Sequence, residues 1–434
     1  MSKKQQVIKD NTQNGLPFLD KLLDGVEVEW KRLEQVSIKI TSGGTPKTGV
    51  SSYYDGDIPW LRTQEVGNGD IWDTGIKITD SGLKNSSAKM IPANCVIVAM
   101  YGATVGKVGV NKIPLSTNQA CANIQLNEEV AHYRYVYHFL LSQYDYIKSL
   151  GAGPQTNINA KIVRNLPIPI PCPNNPEKSL KIQKEIVRIL DTFTELTAEL
   201  TAELTAELTA RKKQYEYYRE ALLRFEEGGV EHLPMGDERV GVFQRGKRFV
   251  KDDMISEGVP CIHYGEMYTH YGTWASESKS FLTEELVENK KLRIAEKGDV
   301  VIVAAGETIE DIGKGTAWIG DEGVVIHDAC FSYSSRLNPK YVAYFTRTRQ
   351  FHNQIKKHIS SGKISAINSK GLSNVLIPIP SEEEQARIVS ILDKFDTLTT
   401  SISEGLPKEI ALRQKQYEYY RELLLTFPKD NLNE

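Results

Sequence analysis

LDTFTELTAELTAELTAELTARKKQYEYYREALLRF, running from Leu190 to Phe225, decides how the rest of this chain is read. It repeats the tetrapeptide TAEL without a break from Thr197 to Leu208. A partial TEL (Thr194 to Leu196) leads in, and Thr209-Ala210 begins a further copy. Leu, Ala and Glu are good helix formers and no Gly or Pro interrupts the stretch, so the sequence predicts one long helix. Asn175-Pro176-Glu177 supplies its start: an N-cap candidate, a proline at the first helical position and an acid in the first turn. At about 1.5 Å per residue, a helix over 175–226 is roughly 75 Å long. No single globular core is that wide. The stretch reads as a spacer.

What precedes this helix recurs after it. From Lys31 to about Pro173, short β-type runs such as IPWLR (Ile58 to Arg62) and NCVIVAMYG (Asn94 to Gly102) alternate with turn signals. A helical pattern follows from about Tyr133 to Leu150, then the proline zigzag NLPIPIPCP. In the second copy Pro59 matches Pro260, and Ile97-Val98-Ala99 matches Ile302-Val303-Ala304. Ala120-Cys121 matches Ala329-Cys330, Ile158-Asn159 matches Ile367-Asn368, and the zigzag returns as NVLIPIPS from Asn374. The helical parts match more closely: RKKQYEYYREALLRF (Arg211 to Phe225) and RQKQYEYYRELLLTF (Arg413 to Phe427) agree at 12 of 15 positions. The expected organisation is a first globule at 1–174, a first spacer helix at 175–226, a second globule at 227–380 and a second spacer helix at 381–434. Ser381-x-x-Glu384 is a capping box for that last helix, and Gly405-Leu406-Pro407, opposite the TAEL run, predicts an interruption in it. The fold class is α+β: two tandem α/β globules separated by a pair of long antiparallel helices, a coiled-coil spacer with a pseudo-two-fold axis.

The 434 residues carry 40% hydrophobic and 25% charged side chains, ordinary for a globular protein of more than one domain. Five cysteines, an odd number with no C-x-x-C, argue against a disulfide framework or zinc site and for a reducing compartment. The N-terminal MSKKQQVIKDN has no apolar core and no run approaches membrane-span length, so the expectation is a cytoplasmic protein with no membrane partner. GATVGKVG (Gly102 to Gly109) lacks the spacing and the Ser/Thr of a phosphate-binding loop. No G-x-G-x-x-G opens a helix, and neither H-E-x-x-H nor G-x-S-x-G occurs. The eight histidines are scattered. No catalytic residue, metal site or cofactor of its own is read in this chain.

The formal net charge is −3, so composition alone does not announce a nucleic-acid binder. The local distribution does. Between Asp328 and Glu382 there is no acid and there are eight Lys/Arg; the matching segment from Tyr146 to Pro176 has Lys148, Lys161, Arg164 and again no acid. Any one such run reads more readily as a solvated helix face, but its presence in both copies favours phosphate contacts. The loop QRGKRFVK (Gln244 to Lys251) lies where the first globule has SGGTPKTG (Ser42 to Gly49).

Tandem divergent globules, each followed by a closely matching helix with KQYEYYRE, resemble the specificity subunit of type I restriction–modification enzymes, and the central array resembles the TAEL-repeat subfamily. The likeness spans the full length. It is strong in IQKEIVRILD, RKKQYEYYRE, RIVSILDKFDTLT and EGLPKEIALRQKQYEYYRELL, and fainter in GGTP, IPWLR and GATVGKVG. The second globule departs from it, with QRGK for GGTP and IHY (Ile262 to Tyr264) for WLR (Trp60 to Arg62). The resemblance implies a non-catalytic subunit in which each globule reads one half of a bipartite, asymmetric double-stranded DNA target. The helices set the gap and dock two methyltransferase subunits, which bind S-adenosylmethionine and methylate adenine. Motor–nuclease subunits, using ATP and Mg, complete the complex.

The candidate DNA-binding residues are Lys47, Arg62, Gln64, Asn118, Gln119, Gln155, Asn157 and Lys161 in the first globule. In the second they are Arg245, Lys247, Arg248, His263, Lys356, Lys357, Lys363 and Lys370. Lysines suit phosphates; Gln, Asn, Arg and His suit base edges. Candidates for partner docking are Arg211, Lys213, Tyr215, Tyr217 and Tyr218 with Arg413, Lys415, Tyr417, Tyr419 and Tyr420, since a duplicated helical surface fits two copies of one partner. The plainer reading of these tyrosines is coiled-coil core, with Tyr215 and Tyr218 on one face and Tyr217 elsewhere. A different function class, a coiled-coil scaffold or regulatory protein with two protein-binding globules, also fits this architecture.

Overall fold

The computed structural model describes residues 25–151, 157–226, 229–360, 362, 364–400 and 404–427. Its helices include Tyr133–Ser142 (α1), Pro176–Leu222 (α2), Pro339–Phe345 (α3), Glu382–Thr400 (α4) and Leu406–Leu425 (α5). The chain divides into two compact units, residues 1–201 with 412–434 and residues 202–411, so α2 and α5 each contribute to both.

In the first unit a five-stranded sheet runs in the spatial order Ser37–Ser42, Cys121–Leu126, Val96–Ala99, Val108–Asn111, Gly69–Ile71. Only its last pair is parallel. A second sheet orders Lys77–Ile78, Tyr54–Leu61, Leu115–Thr117, Met90–Ile91, with its middle pair parallel. The strand VIVA (Val96–Ala99) shows why its apolar run is unbroken. Val96 and Val98 face a core shared with α1 and the start of α2, while Ile97 and Ala99 face Leu61 and Leu115 of the second sheet. A strand covered on both faces has no polar side to show.

The second unit repeats the plan. Its five-stranded sheet orders Gly241–Arg245, Cys330–Ser335, Val300–Val303, Gly315–Trp318, Trp274–Ala275, again parallel only at the last pair. Its four-stranded sheet orders Ser280–Leu282, Val259–Ile262, Val324–Ile326, Ile294–Ala295, again with the middle pair parallel. The pairings correct one match made from sequence. Cys121 pairs with Ala99 and Cys330 with Val303, so Ala99 corresponds to Val303, one residue before the Ala304 that the apolar run suggested. Within VVIVAA no side chain marks the register. Burial does, because a one-residue slip would exchange the two faces.

Each globule clasps a spacer helix by the same polar device. In the first unit the His132 N–H, at the start of α1, donates to Gln183 Oε1 (2.8 Å), and Arg134 Nε and His138 Nε2 reach Asp191 at 3.0 and 2.7 Å. In the second, the Asn338 N–H donates to Gln385 (2.8 Å), while Lys340 Nζ and Tyr344 Oη both meet Asp393 at 2.7 Å. Asn175 caps α2 by accepting from the Lys178 N–H at 3.0 Å. Beyond the clasp, no residue of α2 between Asp191 and Gln214 is buried.

The helix pairing is antiparallel within each unit. Thr194 meets Tyr417 (3.0 Å between hydroxyls) and Phe193 stacks on Tyr420 at 5.2 Å, while Leu190, a turn earlier, shares a buried cluster with Leu424. In the other unit Phe395 stacks against both Tyr215 and Tyr218, at 6.4 and 5.3 Å. Between α4 and α5 the helix stops and restarts. Gly405 O accepts from the N–H groups of Lys408 and Glu409, and Pro407 falls in the new first turn, where a missing N–H costs little.

Candidate nucleic-acid interface

In the first unit the GGTP loop is pinned to the turn that follows Leu115–Thr117. The Gly44 N–H donates to Thr117 O (2.9 Å), Trp60 Nε1 donates to Gly44 O (3.0 Å), and Thr45 donates its hydroxyl to Gln119 Oε1. A Cβ on Gly43 would lie 2.0 Å from Thr117 O, so only glycine fits there. The Asn118 N–H donates to Leu61 O (2.9 Å), and Asn118 Oδ1 accepts from the Ala120 N–H (3.2 Å). Arg62, next to Leu61, is held by Glu65 through Nε at 3.2 Å. The Gln64 carboxamide, turned with its oxygen inward, accepts from both terminal nitrogens of Arg62. Asn157 Oδ1 accepts from the Gly102 N–H at 3.4 Å. Arg62, Gln64, Asn118 and Gln119 therefore share one rim with the glycine loop. Lys47, past the loop, is exposed, as is Lys161 on the short helix Ala160–Arg164 capped by Asn159. Gln155 lies outside the described residues.

In the second unit Arg245, Arg248 and His263 come together around a cleft of about 400 Å³, joined by Phe249, Lys251, Tyr264 and His327. Arg245 Nε donates to Asp328 O (2.9 Å), and the Lys247 N–H donates to Ile326 O (3.3 Å), as Gly44 does to Thr117. Lys247 extends its ammonium to Lys290 O at 3.4 Å. A Cβ on Gly246 would come within 2.1 Å of His327 O, the constraint seen at Gly43. Burial lowers the pKa of His263 and of His327. Glu266 and Asp328 oppose that for His263, whereas Lys251 adds to it; for His327, Asp328 opposes and His263 and Arg248 add. Both rings are neutral at pH 7.

The remaining basic candidates stand apart from that cleft. Lys356 lines a separate cleft of about 750 Å³ with Arg347, Arg349, Lys213, Tyr217 and Arg219. Lys357 is exposed in the same short turn, Lys370 is exposed on Ser369–Ser373, and Lys363 lies outside the described residues. Burial and charge oppose each other at Arg347, whose terminal nitrogen donates to the Gly272 and Gly315 carbonyls.

The tyrosines of the repeated helical segment divide by face. Tyr215 is 8% exposed and Tyr217 is 68% exposed, while Tyr218 spends its ring on Phe395. In the second copy Tyr417 and Tyr420 turn inward and Tyr419 stays 43% exposed. Arg211 bonds Glu207 and Gln214, Arg413 bonds Gln416, and Lys213 and Lys415 are exposed. Among the described residues there is no group of three or more His, Cys, Asp or Glu able to hold a metal, and no helix long and apolar enough to cross a membrane.

The family model for the type I restriction modification DNA specificity domain matches residues 25–210 and 239–412. The chain is 35% identical over 424 residues to the type I restriction enzyme EcoR124I/EcoR124II specificity subunit of Escherichia coli, covering 95% of this chain and 98% of that one. The chain belongs to the type I restriction–modification DNA specificity family. This specificity subunit is also 35% identical to a putative type I restriction enzyme specificity subunit of Haemophilus influenzae, over 96% of this chain and all of that one. Its fold matches a chain from a structure of type I R-M complex assembly and conformational transition, with TM-score 0.67 and 17% identity over 92% of this chain and 97% of that one. It also matches the HsdS subunit crystal structure from Thermoanaerobacter tengcongensis, with TM-score 0.55 and 17% identity over 92% and 95% of the two chains. The chain supplies DNA sequence specificity and is not the catalytic component.

Lys251 entered from sequence only as the end of the QRGKRFVK loop, and Tyr264 and His327, which line the same cleft, were not among the candidates. For His327 a signal was present. Ala329-Cys330 matches Ala120-Cys121, and counting back two residues pairs His327 with Asn118, a candidate already named. The Asn118 N–H donates to Leu61 O and the His327 N–H to Ile262 O, so His263 corresponds to Arg62, as the match of Pro59 with Pro260 has it and not as IHY set against WLR would.

Proposed function

We propose that the two globules, residues 1–174 and 227–380, are target-recognition domains reading the two halves of a bipartite, asymmetric double-stranded DNA sequence. One observation carries this reading: the two sheets have the same strand order and the same glycine-bound rim, yet equivalent rim positions hold different residues (Gly44 against Lys247, Arg62 against His263, Asn118 against His327). A constant frame with variable edges suits two different ligands of one kind. Lys47, Lys161, Lys356, Lys357, Lys363 and Lys370 hold phosphates. Arg62, Gln64, Asn118, Gln119, Gln155, Asn157, Arg245, Arg248 and His263 are the candidates for reading base edges, together with Lys247.

The helical segments around Arg211–Tyr218 and Arg413–Tyr420 kept their sequence while the globules diverged, which is what two copies of the same partner require. They dock two methyltransferase subunits, with Tyr217 and Tyr419 as the exposed rings. S-adenosylmethionine belongs to those subunits, ATP and Mg to the motor–nuclease subunits, and the assembly works in the cytoplasm. The TAEL array marks the repeat subfamily and acts as a ruler, since each repeat advances the helix by about 6 Å and turns it by about 40°.

Mapping N6-methyladenine across a genome with and without this chain tests the reading. The expected result is a motif of two short blocks separated by a fixed gap, lost when the chain is removed. Deleting one TAEL should shorten the gap and leave both blocks unchanged; a changed block, or no two-part motif, overturns it.

A further inference from the structure

We infer that His263 reads one base position of the second half-site, donating its Nε2–H to an acceptor on a base edge at the position where the first globule presents Arg62. The assignment rests on the globules binding DNA half-sites and adds which side chain reads and what it selects.

The equivalence is fixed by the backbone. Leu61 O accepts from the Asn118 N–H and Ile262 O from the His327 N–H, and the next residue in each strand is Arg62 or His263. The turn closes alike in both, with the Cys121 N–H donating to Asn118 O and the Cys330 N–H to His327 O. Even the side-chain bond beneath the rim is shared: Asn118 Oδ1 accepts from the Ala120 N–H at 3.2 Å, and His327 Nδ1 from the Ala329 N–H at 3.0 Å. His327 is thereby a positioning residue. Its ring lies 4.7 Å from that of His263 at 63°, and Phe249 meets His263 edge-on at 6.0 Å, so the His263 ring is held at the cleft wall.

The protonation pattern then dictates the chemistry. His263 Nδ1 accepts the Gly265 N–H at 3.3 Å, so the neutral ring carries its hydrogen on Nε2 and offers one donor. Lys251 at the same cleft supplies a positive charge for a flanking phosphate, beside Arg245 and Arg248. In the major groove, guanine N7 and O6, adenine N7 and thymine O4 accept a hydrogen bond, while the cytosine amino group can only donate. A single fixed N–H therefore excludes cytosine at the base it faces. Arg62 has its Nε held by Glu65 and its two terminal nitrogens by Gln64, so only its remaining outward N–H groups are left for a base-edge acceptor.

The test uses the full chain assembled with its methyltransferase subunits, mapping N6-methyladenine for the unaltered protein and for H263A, H263Q, H263R and R62A. H263A should relax one position of the second block, with discrimination there falling on the order of tenfold, while the first block and the gap stay fixed. H263Q keeps a donor and should retain part of the preference, and H263R should move that position towards guanine. R62A should relax the first block only. If H263A melts at the unaltered temperature yet leaves every preference in the second block intact, or lowers methylation equally at all sites, the assignment is wrong. Absence of a two-part motif with the unaltered chain instead overturns the recognition reading itself, and this assignment with it.

Discussion

The two units hang different chemistry on one frame. The first globule's rim is made of neutral amides, a threonine and one braced arginine, whereas the second gathers a half-buried and a buried histidine, tyrosine and several cations around a cleft. Their clasps differ in the same spirit: Arg134 and His138 hold Asp191, while Lys340 and Tyr344 hold Asp393. Position is kept and chemistry is exchanged. The carbonyl facing Gly43 or Gly246 admits only glycine in both copies, whereas the carboxylate facing the clasp accepts either Arg134 and His138 or Lys340 and Tyr344.

The clasp offers the largest test. Asp191→Ala leaves a guanidinium with 18% of its side chain exposed facing fewer carboxylates and should cost about 2–3 kcal/mol in chemical denaturation. Asp393→Ala strands a more flexible lysine and a neutral phenol and should cost less, about 1–2 kcal/mol. Equal losses would erase the distinction between the clasps. Next come the glycines. Gly43→Ala and Gly246→Ala each drive a methyl into a carbonyl, and each should cost about 1–3 kcal/mol while degrading only its own half of the methylation motif. The helix pair should show symmetry: double-mutant cycles on Phe193/Tyr420 and Phe395/Tyr218 should both give coupling of about 0.5–1.5 kcal/mol.

Acid should separate the clasps again. Burial outweighs Asp191 and holds the His138 pKa below its ordinary 6.5. As pH falls through that value the unfolded chain takes up a proton the folded chain refuses, so stability drops. His138→Tyr, which copies Tyr344, should remove that part of the acid sensitivity in a pH series of thermal melts. The smallest effect belongs to Lys356→Ala, which should weaken binding to all sequences alike and reduce the salt slope by about 0.9.

Much of this was legible in the chain. Helix formers without Gly or Pro gave α2, the shared KQYEYYRE gave the duplication, and the three-residue spacing of Tyr215 and Tyr218 put both against Phe395 while Tyr217 stayed out. Register was harder. An apolar run such as VVIVAA has no internal mark, so the match slipped by one, whereas Pro59 and Pro260 mark the other strand and set Arg62 opposite His263. The clasps were invisible because Asp191 meets Arg134 across 57 residues and no local pattern announces a distant partner. The basic residues after Asp328 looked like one field along the chain, yet Lys340 holds Asp393, Lys356 lines a cleft with Arg347 and Arg349, and Lys370 stands exposed on another short helix, since helical turns distribute neighbours over several faces.

The bare stretch of α2 between Asp191 and Gln214 has one more consequence. Its side chains are exposed or half-buried, so a changed number of repeats removes no fully buried residue from either core. On the proposed ruler reading, a change in repeat number is therefore felt in the spacing of target sites before it is felt in folding stability.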